Sequence, residues 1–303
     1  MEVQYSISDL ERLSGVKAHT LRVWESRYGL IEPHRTPTNI RYYGDNELKK
    51  ILNVAFLVNS GMRISKVAAL SDVDQRSLVL DKSNGGHNHE GTLTALKVAM
   101  IDFDQDTFER VLNRCLLNMG AEDAFNNVLA DFIRHLGVLW QTNAITVAHE
   151  HFVTGLIKQK LFSLIDQLAV APHPEAKSYL LYLPGAEMHE LGLLYMHFIL
   201  KKNGQRSLFL GQDVAIEFLE EAYIHYKPDV LMSIFTTQPS IEDVQNYLQQ
   251  LGSTFNSRKL RFELAGYPLR DFRTQWSDRR FSLFGNLEEI RQHILGQVQA
   301  VNH

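Results

Sequence analysis

Glu187-Met188-His189-Glu190-Leu191-Gly192 is the stretch from which the fold of this chain is read. An apolar run, Ser178-Tyr-Leu-Leu-Tyr-Leu-Pro184, precedes it, and a second, Leu191 to Leu200, follows. That context predicts strand, short loop and helix, with a histidine at the carboxyl end of a first parallel strand. In open α/β sheets ligands bind outside such strand ends. Neutral imidazole is the commonest metal-ligating side chain. A carboxylate two residues earlier takes the second ring N–H, fixes the tautomer and raises the basicity of the ligand nitrogen. Gly192 removes bulk where something large must approach the helix start. A lone histidine in such a loop is ordinarily solvated, so its meaning depends on the rest of the chain.

Downstream of Ala171-Pro-His-Pro-Glu175, a linker by composition, strand and helix patterns alternate. Strands are expected at Tyr179–Leu183, Ser207–Leu210, Val230–Phe235, Leu260–Leu264 and Phe281–Phe284, with helices between them and one at the end. The rhythm predicts a doubly wound parallel sheet over 178–303. Upstream, 92–170 reads as four helices, roughly 92–103, 105–118, 121–141 and 146–169. Phe108, Val111, Leu112, Cys115 and Leu116 illustrate the helical spacing of apolar positions. Lys82-Ser-Asn-Gly-Gly-His-Asn-His-Glu-Gly91 makes 73–91 a flexible linker by composition. It carries no heptads, so no long dimerising coiled coil is expected there.

At the N-terminal end, Ser8-Asp-Leu-Glu11 has the pattern of a capping box opening a first helix. Ser14-Gly15-Val16 turns into a second helix, Lys17 to Tyr28, with Leu21 and Trp24 inward. Two short helices joined through a glycine turn form a helix-turn-helix candidate. A polar hairpin around Thr36-Pro-Thr-Asn39 follows, then helices near 45–60 and 64–70.

The chain has 303 residues, 45% hydrophobic and 22% charged, which suits two or three soluble globular domains. No apolar run reaches the ~18 residues of a membrane helix. The first residues lack a basic segment followed by an apolar one, so no signal peptide is expected. Cys115 is the single cysteine, which excludes an internal disulfide and fits a buried thiol and cytoplasmic residence. Net charge is −4 overall, but residues 1–70 carry +3 and the remainder −7. A basic module on an acidic body suits nucleic-acid contact confined to one end.

Thr20-Leu-Arg22-Val-Trp24-Glu25-Ser-Arg27-Tyr28-Gly29-Leu30, continued by Pro33, Arg35 and Arg41-Tyr42-Tyr43, resembles the MerR-family winged helix-turn-helix. Lys17, His19, Thr20 and Arg22 lie on or beside the exposed face of the second helix, within reach of phosphates and major-groove edges. Arg35, Arg41 and Tyr42 belong to the hairpin wing. MerR activators usually dimerise through a long helix after the wing, and its lack here transfers oligomerisation to the C-terminal domains.

Glu187-x-His189-x-x-Gly192 is similar to the signature of cobalamin-binding domains. Ser233-Ile-Phe235, forty residues past Gly192, stands where that family places a small hydroxyl beside the nucleotide tail. Ala265-Gly266 stands where it usually has Gly-Gly so that the tail lies close to backbone, and Ala265 departs from that pattern. The resemblance implies cobalamin bound with its own base displaced and His189 as lower ligand to cobalt. Glu187 replaces the Asp common in the enzymes.

Trp140, nine residues, then Glu150-His151 resembles the upper lid of light-sensing cobalamin repressors of the CarH/LitR type. The resemblance implies that Trp140 covers the upper corrin face, Glu150 contacts the adenosyl ribose and His151 lies at the packing surface. An indole is large and apolar enough for that task. Gln141 departs from the best-known members, which have there a histidine able to ligate cobalt after the adenosyl group leaves. His149 and His151 remain alternatives for that vacated face.

These resemblances imply a multidomain α and α/β chain. Residues 1–72 are expected to be the DNA-binding winged helix-turn-helix, 73–91 the linker, 92–170 a four-helix lid and 178–303 a Rossmann-like cobalamin-binding domain. The implied function is transcriptional repression, not enzymatic catalysis, with adenosylcobalamin as light sensor. The partners are operator DNA and further copies of the chain, dimer to tetramer, with no membrane. Carotenoid or other light-protection genes are the targets that the resemblance suggests. The alternatives are a regulator that senses cobalamin without light, or one that has lost cobalt and senses another ligand or protein. A mutase or methyl carrier would need a catalytic barrel or partner subunit for which three modules leave no room.

Overall fold

The computed structural model describes residues 4–83, 89–141 and 145–301. The chain forms two compact units, Met1–Leu156 and Ile157–His303. The division falls inside a long helix, Val147–Asp166.

The first unit begins with α1 (Ile7–Ser14) and α2 (Ala18–Tyr28). Ser6, not Ser8, caps α1: its hydroxyl accepts from Asp9 N, and the Asp9 carboxylate accepts from Ser6 N. Two serines two residues apart compete for the cap, and Ser6 leaves Leu10 and Leu13 on the buried side. Gly15, at φ 73°, ends α1 in the left-handed conformation and turns the chain into α2. The wing pairs β1 (His34–Arg35) antiparallel with β2 (Arg41–Tyr42). Helices α3 (Asp45–Asn59) and α4 (Ile64–Ala68) complete the module. Leu10, Leu21, Trp24, Leu48 and Leu52 are buried in it.

The expected linker 73–91 is largely helix. α5 spans Asp72–Ser83 and α6 begins at His89; residues 84–88 lie outside the described part. Ser71 opens α5 by accepting from Asp74 N. The helix was hidden because its face towards α3 is polar. Asp72, Gln75 and Arg76 meet Asn46, Lys49, Lys50 and Asn53 across a cleft, so no apolar period marks it. Lys50–Asp72 is an ion pair at 3.0 Å.

The helical interval follows as α6 (His89–Ile101), α7 (Gln105–Met119), α8 (Ala121–Asp123), a π-helical turn (Ala124–Leu129), α9 (Ala130–Gln141) and α10 (Val147–Asp166). These are the four expected helices, with the third widened by the π turn. Cys115 is buried in α7, and burial pushes its thiol up to about 11, which makes it inert.

The second unit holds β3 (Ser178–Pro184), α11 (Leu191–Lys202), β4 (Arg206–Val214), α12 (Ile216–Tyr226), β5 (Val230–Phe235), α13 (Val244–Thr254), β6 (Arg261–Gly266), β7 (Phe281–Phe284) and α14 (Leu287–Val301). All five strands are parallel, in the order β4-β3-β5-β6-β7. The order reverses between β3 and β5, which defines the switch point where such sheets bind ligands. One face packs α12 and α13 over Leu180, Tyr182, Leu231, Phe235 and Phe262. Edge strand β4 is bulged twice against β3, with Gly211 at φ 83° and Asp213 at φ 57°.

Candidate cofactor crevice and nucleic-acid face

Two loops meet at the switch point, one after β3 and one after β5. Glu187 joins them. Its Oε1 accepts from His189 N at 3.0 Å and lies 2.6 Å from His189 Nδ1. Its Oε2 accepts from the backbone of Thr236, Thr237 and Gln238 at 3.1, 2.6 and 2.8 Å, and from the Thr237 hydroxyl at 3.2 Å. The side chain is fully buried. Burial alone would raise its pKa, but the bonds from His189, Gln238 and Thr237 outweigh that and hold it well below the usual carboxylate range. An ionised Glu187 favours a proton on His189 Nδ1, the arrangement in which a neutral ring carries its lone pair on Nε2 as a metal ligand requires. The His189 side chain is about half exposed at the crevice, so a large planar ligand can reach it.

The backbone around this pair leaves no room for side chains. A Cβ on Gly266 would stand 2.1 Å from the Phe235 carbonyl oxygen, and its φ of 147° excludes other residues. A Cβ on Gly192 would meet Ile234 Cγ2 at 3.3 Å and Leu287 Cδ1 at 3.7 Å. The starts of α11 and α14 therefore close on β5 where the two glycines open it. A half-exposed imidazole backed by a buried carboxylate, beside strand ends that admit no side chain at Gly192 and Gly266, is a donor that would suit a cobalamin held through one protein nitrogen.

Ser233 does not join this group. It stands two residues from both Leu231 and Phe235 and so shares their α12/α13 face, where its hydroxyl donates to Tyr182 O at 2.7 Å. Ile234 is the residue that meets Gly192. The motif spacing located the strand end but not which of two adjacent side chains faces α11. Ala265 is buried on the same face as Ile234, in register with it. Thr237 and Gln238, which hold Glu187, were missed. Their only sequence signal is the turn composition of Thr236-Thr-Gln-Pro-Ser240.

In the first unit, Trp140 and Gln141 close α9, and their side chains lie outside the described part. Glu150 is half-buried on α10 and lies 3.5 Å from the exposed His151 ring. His149 is buried, stacked on Phe103 at 4.3 Å, and its Nδ1 accepts from Thr146. That environment depresses its pKa through burial and ties up one ring nitrogen. His149 is therefore a structural side chain, which leaves His151 as the exposed imidazole of the two.

On the nucleic-acid side, Lys17, His19 and Arg22 are exposed and Thr20 is half-buried at the start of α2. Lys17 pairs with Glu11 at 3.0 Å, and Thr20 Oγ1 lies 3.2 Å from His19. Arg35 and Arg41 are exposed on the wing, Arg35 donating to Asn39 Oδ1 at 2.6 Å. Tyr42 stacks on His34 at 5.3 Å. Tyr43 is buried instead, its hydroxyl donating to Glu25 and its backbone pairing with Tyr5. The paired aromatics of the Arg-x-Tyr block thus divide between surface and core.

Comparison with known proteins gives two family models: the MerR HTH family regulatory protein over residues 5–74 and the B12 binding domain over residues 92–165. The HTH-type transcriptional repressor CarH of Myxococcus xanthus is 30% identical over 82% of this chain and 85% of its own length. The HTH-type transcriptional repressor CarA of the same organism is 29% identical over 80% of each. Among solved structures, the Methanosarcina barkeri monomethylamine corrinoid protein aligns with a TM-score of 0.49 and 14% identity, over 73% of this chain and 99% of that one. No helix among the described residues is long and apolar enough to cross a membrane.

Proposed function

This chain belongs to the CarH-type, B12-binding MerR regulators, and from that premise we propose that it is a repressor that senses light through adenosylcobalamin. It acts in the cytoplasm as a regulator and not as an enzyme. The observation that carries the reading is the Glu187–His189 pair at the sheet switch point, with Glu187 Oε1 2.6 Å from His189 Nδ1. When bound, adenosylcobalamin supplies a cobalt–carbon bond that light breaks. His189 would hold the cobalt, and Glu187 would keep that ring in its ligating tautomer. Gly192, Ala265 and Gly266 would line the approach of the nucleotide tail. By the resemblance, Trp140 would cover the bound group and Glu150 would accept from its ribose hydroxyls.

In darkness the loaded chains associate through their C-terminal domains, as dimers and then a tetramer, and several MerR modules grip operator DNA together. Lys17, His19, Thr20, Arg22, Arg35, Arg41 and Tyr42 make the contacts. Multivalency supplies affinity that a single small module lacks. Illumination disperses the assembly and releases the operator. Gln141 and the buried His149 favour one variation, in which the chain reports corrinoid abundance without a stable light adduct.

The test is size-exclusion chromatography of purified protein with adenosylcobalamin, dark and illuminated, followed by operator binding on the same samples. The reading expects a coloured, larger dark species that shrinks and loses operator in light. A coloured species of unchanged size after complete photolysis supports the cobalamin-level variation. A colourless protein at saturating cofactor overturns both.

A further inference from the structure

β6 reads Arg261-Phe-Glu-Leu-Ala-Gly266, a buried strand with parallel neighbours on both sides. Such strands are near-continuous apolar runs, and Glu263 breaks the rule. It is 3% exposed. Its Oε1 accepts from Gln297 Nε2 at 3.1 Å and lies 3.3 Å from His293 Nε2, both on α14. Its Oε2 is buried with no hydrogen-bond partner among the described residues. A buried carboxylate oxygen left unpaired is costly, so native proteins rarely keep one without use.

The placement suggests the use. Glu263 precedes Ala265 by two residues, so both face α14, about 6.6 Å apart along the strand. Ile234 lies on the same face and meets Gly192 and Leu287 above. His293 is six residues beyond Leu287, about 9 Å along the helix. Glu263 therefore lies on the same sheet face as Ala265 and Ile234, deeper under α14 than the strand ends beside Glu187 and His189.

We propose that Glu263 sets lower-base specificity, selecting a corrinoid whose tail ends in a base with an N–H or O–H donor on its leading edge. The inference rests on the cobalamin reading above and narrows it. A dimethylated base presents only methyl groups there and leaves Oε2 unpaired. A hydroxyl or amino group on the same ring donates to Oε2 while Gln297 and His293 keep Oε1.

The experiment compares two adenosyl corrinoids, one with a 5,6-dimethylbenzimidazole base and one with 5-hydroxybenzimidazole, by dark equilibrium titration of the full chain followed by visible absorbance. The wild type is expected to bind the hydroxylated form at least about fivefold tighter, the scale of one charge-assisted hydrogen bond. Glu263→Leu should reverse the preference, and Glu263→Gln, which keeps the volume, should reduce it. Thermal melts of the unliganded variants report folding separately, so a purely structural Glu263 would move the melt and leave the affinity ratio alone. Equal wild-type affinities, or a ratio untouched in Glu263→Gln, overturn the lower-base inference and spare the cobalamin reading. Binding of neither corrinoid overturns both.

Discussion

The α2 face and the β3–α11 loop each carry polar side chains meant for a partner, and they hold them in opposite ways. On α2 and the wing, Arg22, Arg35 and Arg41 are exposed, with at most one partner each among the described residues. At the loop, one carboxylate takes six contacts from two segments and is fully buried. The difference follows from the ligands. Phosphate contact is long-ranged and tolerant of geometry, so mobile cations serve it. A metal bond needs one nitrogen in one tautomer at one place, so the imidazole must be set beforehand.

The comparison breaks most severely at Gly266. Gly266→Val drives Cβ into the Phe235 carbonyl, and the second unit should not fold; soluble yield and circular dichroism check this, with Gly296→Ala as the control. Next is the acid limb of stability. Burial, with a smaller push from Lys201, lowers His197 to about 4, where its ring bonds Ser207 and stacks on Phe209. The folded pKa is below the ordinary 6.5, so the unfolded chain takes the proton first and stability falls as pH drops from 6.5 towards 4. The full loss is about 3 kcal/mol. His197→Gln should flatten urea midpoints measured across that window.

Glu187→Ala should cost about 2 kcal/mol in urea unfolding, because four backbone N–H groups lose a charged acceptor. It should weaken corrinoid binding more than His189→Ala weakens stability. The smallest effect on folding belongs to the α2 face. Arg22→Ala and Arg35→Ala should leave the unfolding free energy within about 0.5 kcal/mol of wild type. Each should lower the slope of log operator affinity against log salt by about one. A large stability loss from either would remove the contrast.

Much of this was legible in the sequence where one chemistry dominates a segment. The buried parallel strands announce themselves as apolar runs, and the His189 loop by its neighbours. α5 was not legible, because its contact with α3 runs through Asp72, Gln75 and Arg76. Ser6 was missed as a cap because Ser8 offers the same pattern two residues later. Ser233 and Ile234 are adjacent in a strand without polar alternation, so only the register to Gly192 tells which one faces α11. The Thr236–Gln238 cradle is built from backbone N–H groups, which any sequence supplies.

The doubled bulge of β4 bears on how copies of this chain can meet. A regular outer strand nine residues long would invite a second sheet to zip onto it and extend without limit. With Gly211 and Asp213 twisting its hydrogen-bonding groups out of line, that route is blunted. Any association of copies would then fall to side-chain surfaces, whose finite shape favours closed particles over fibres.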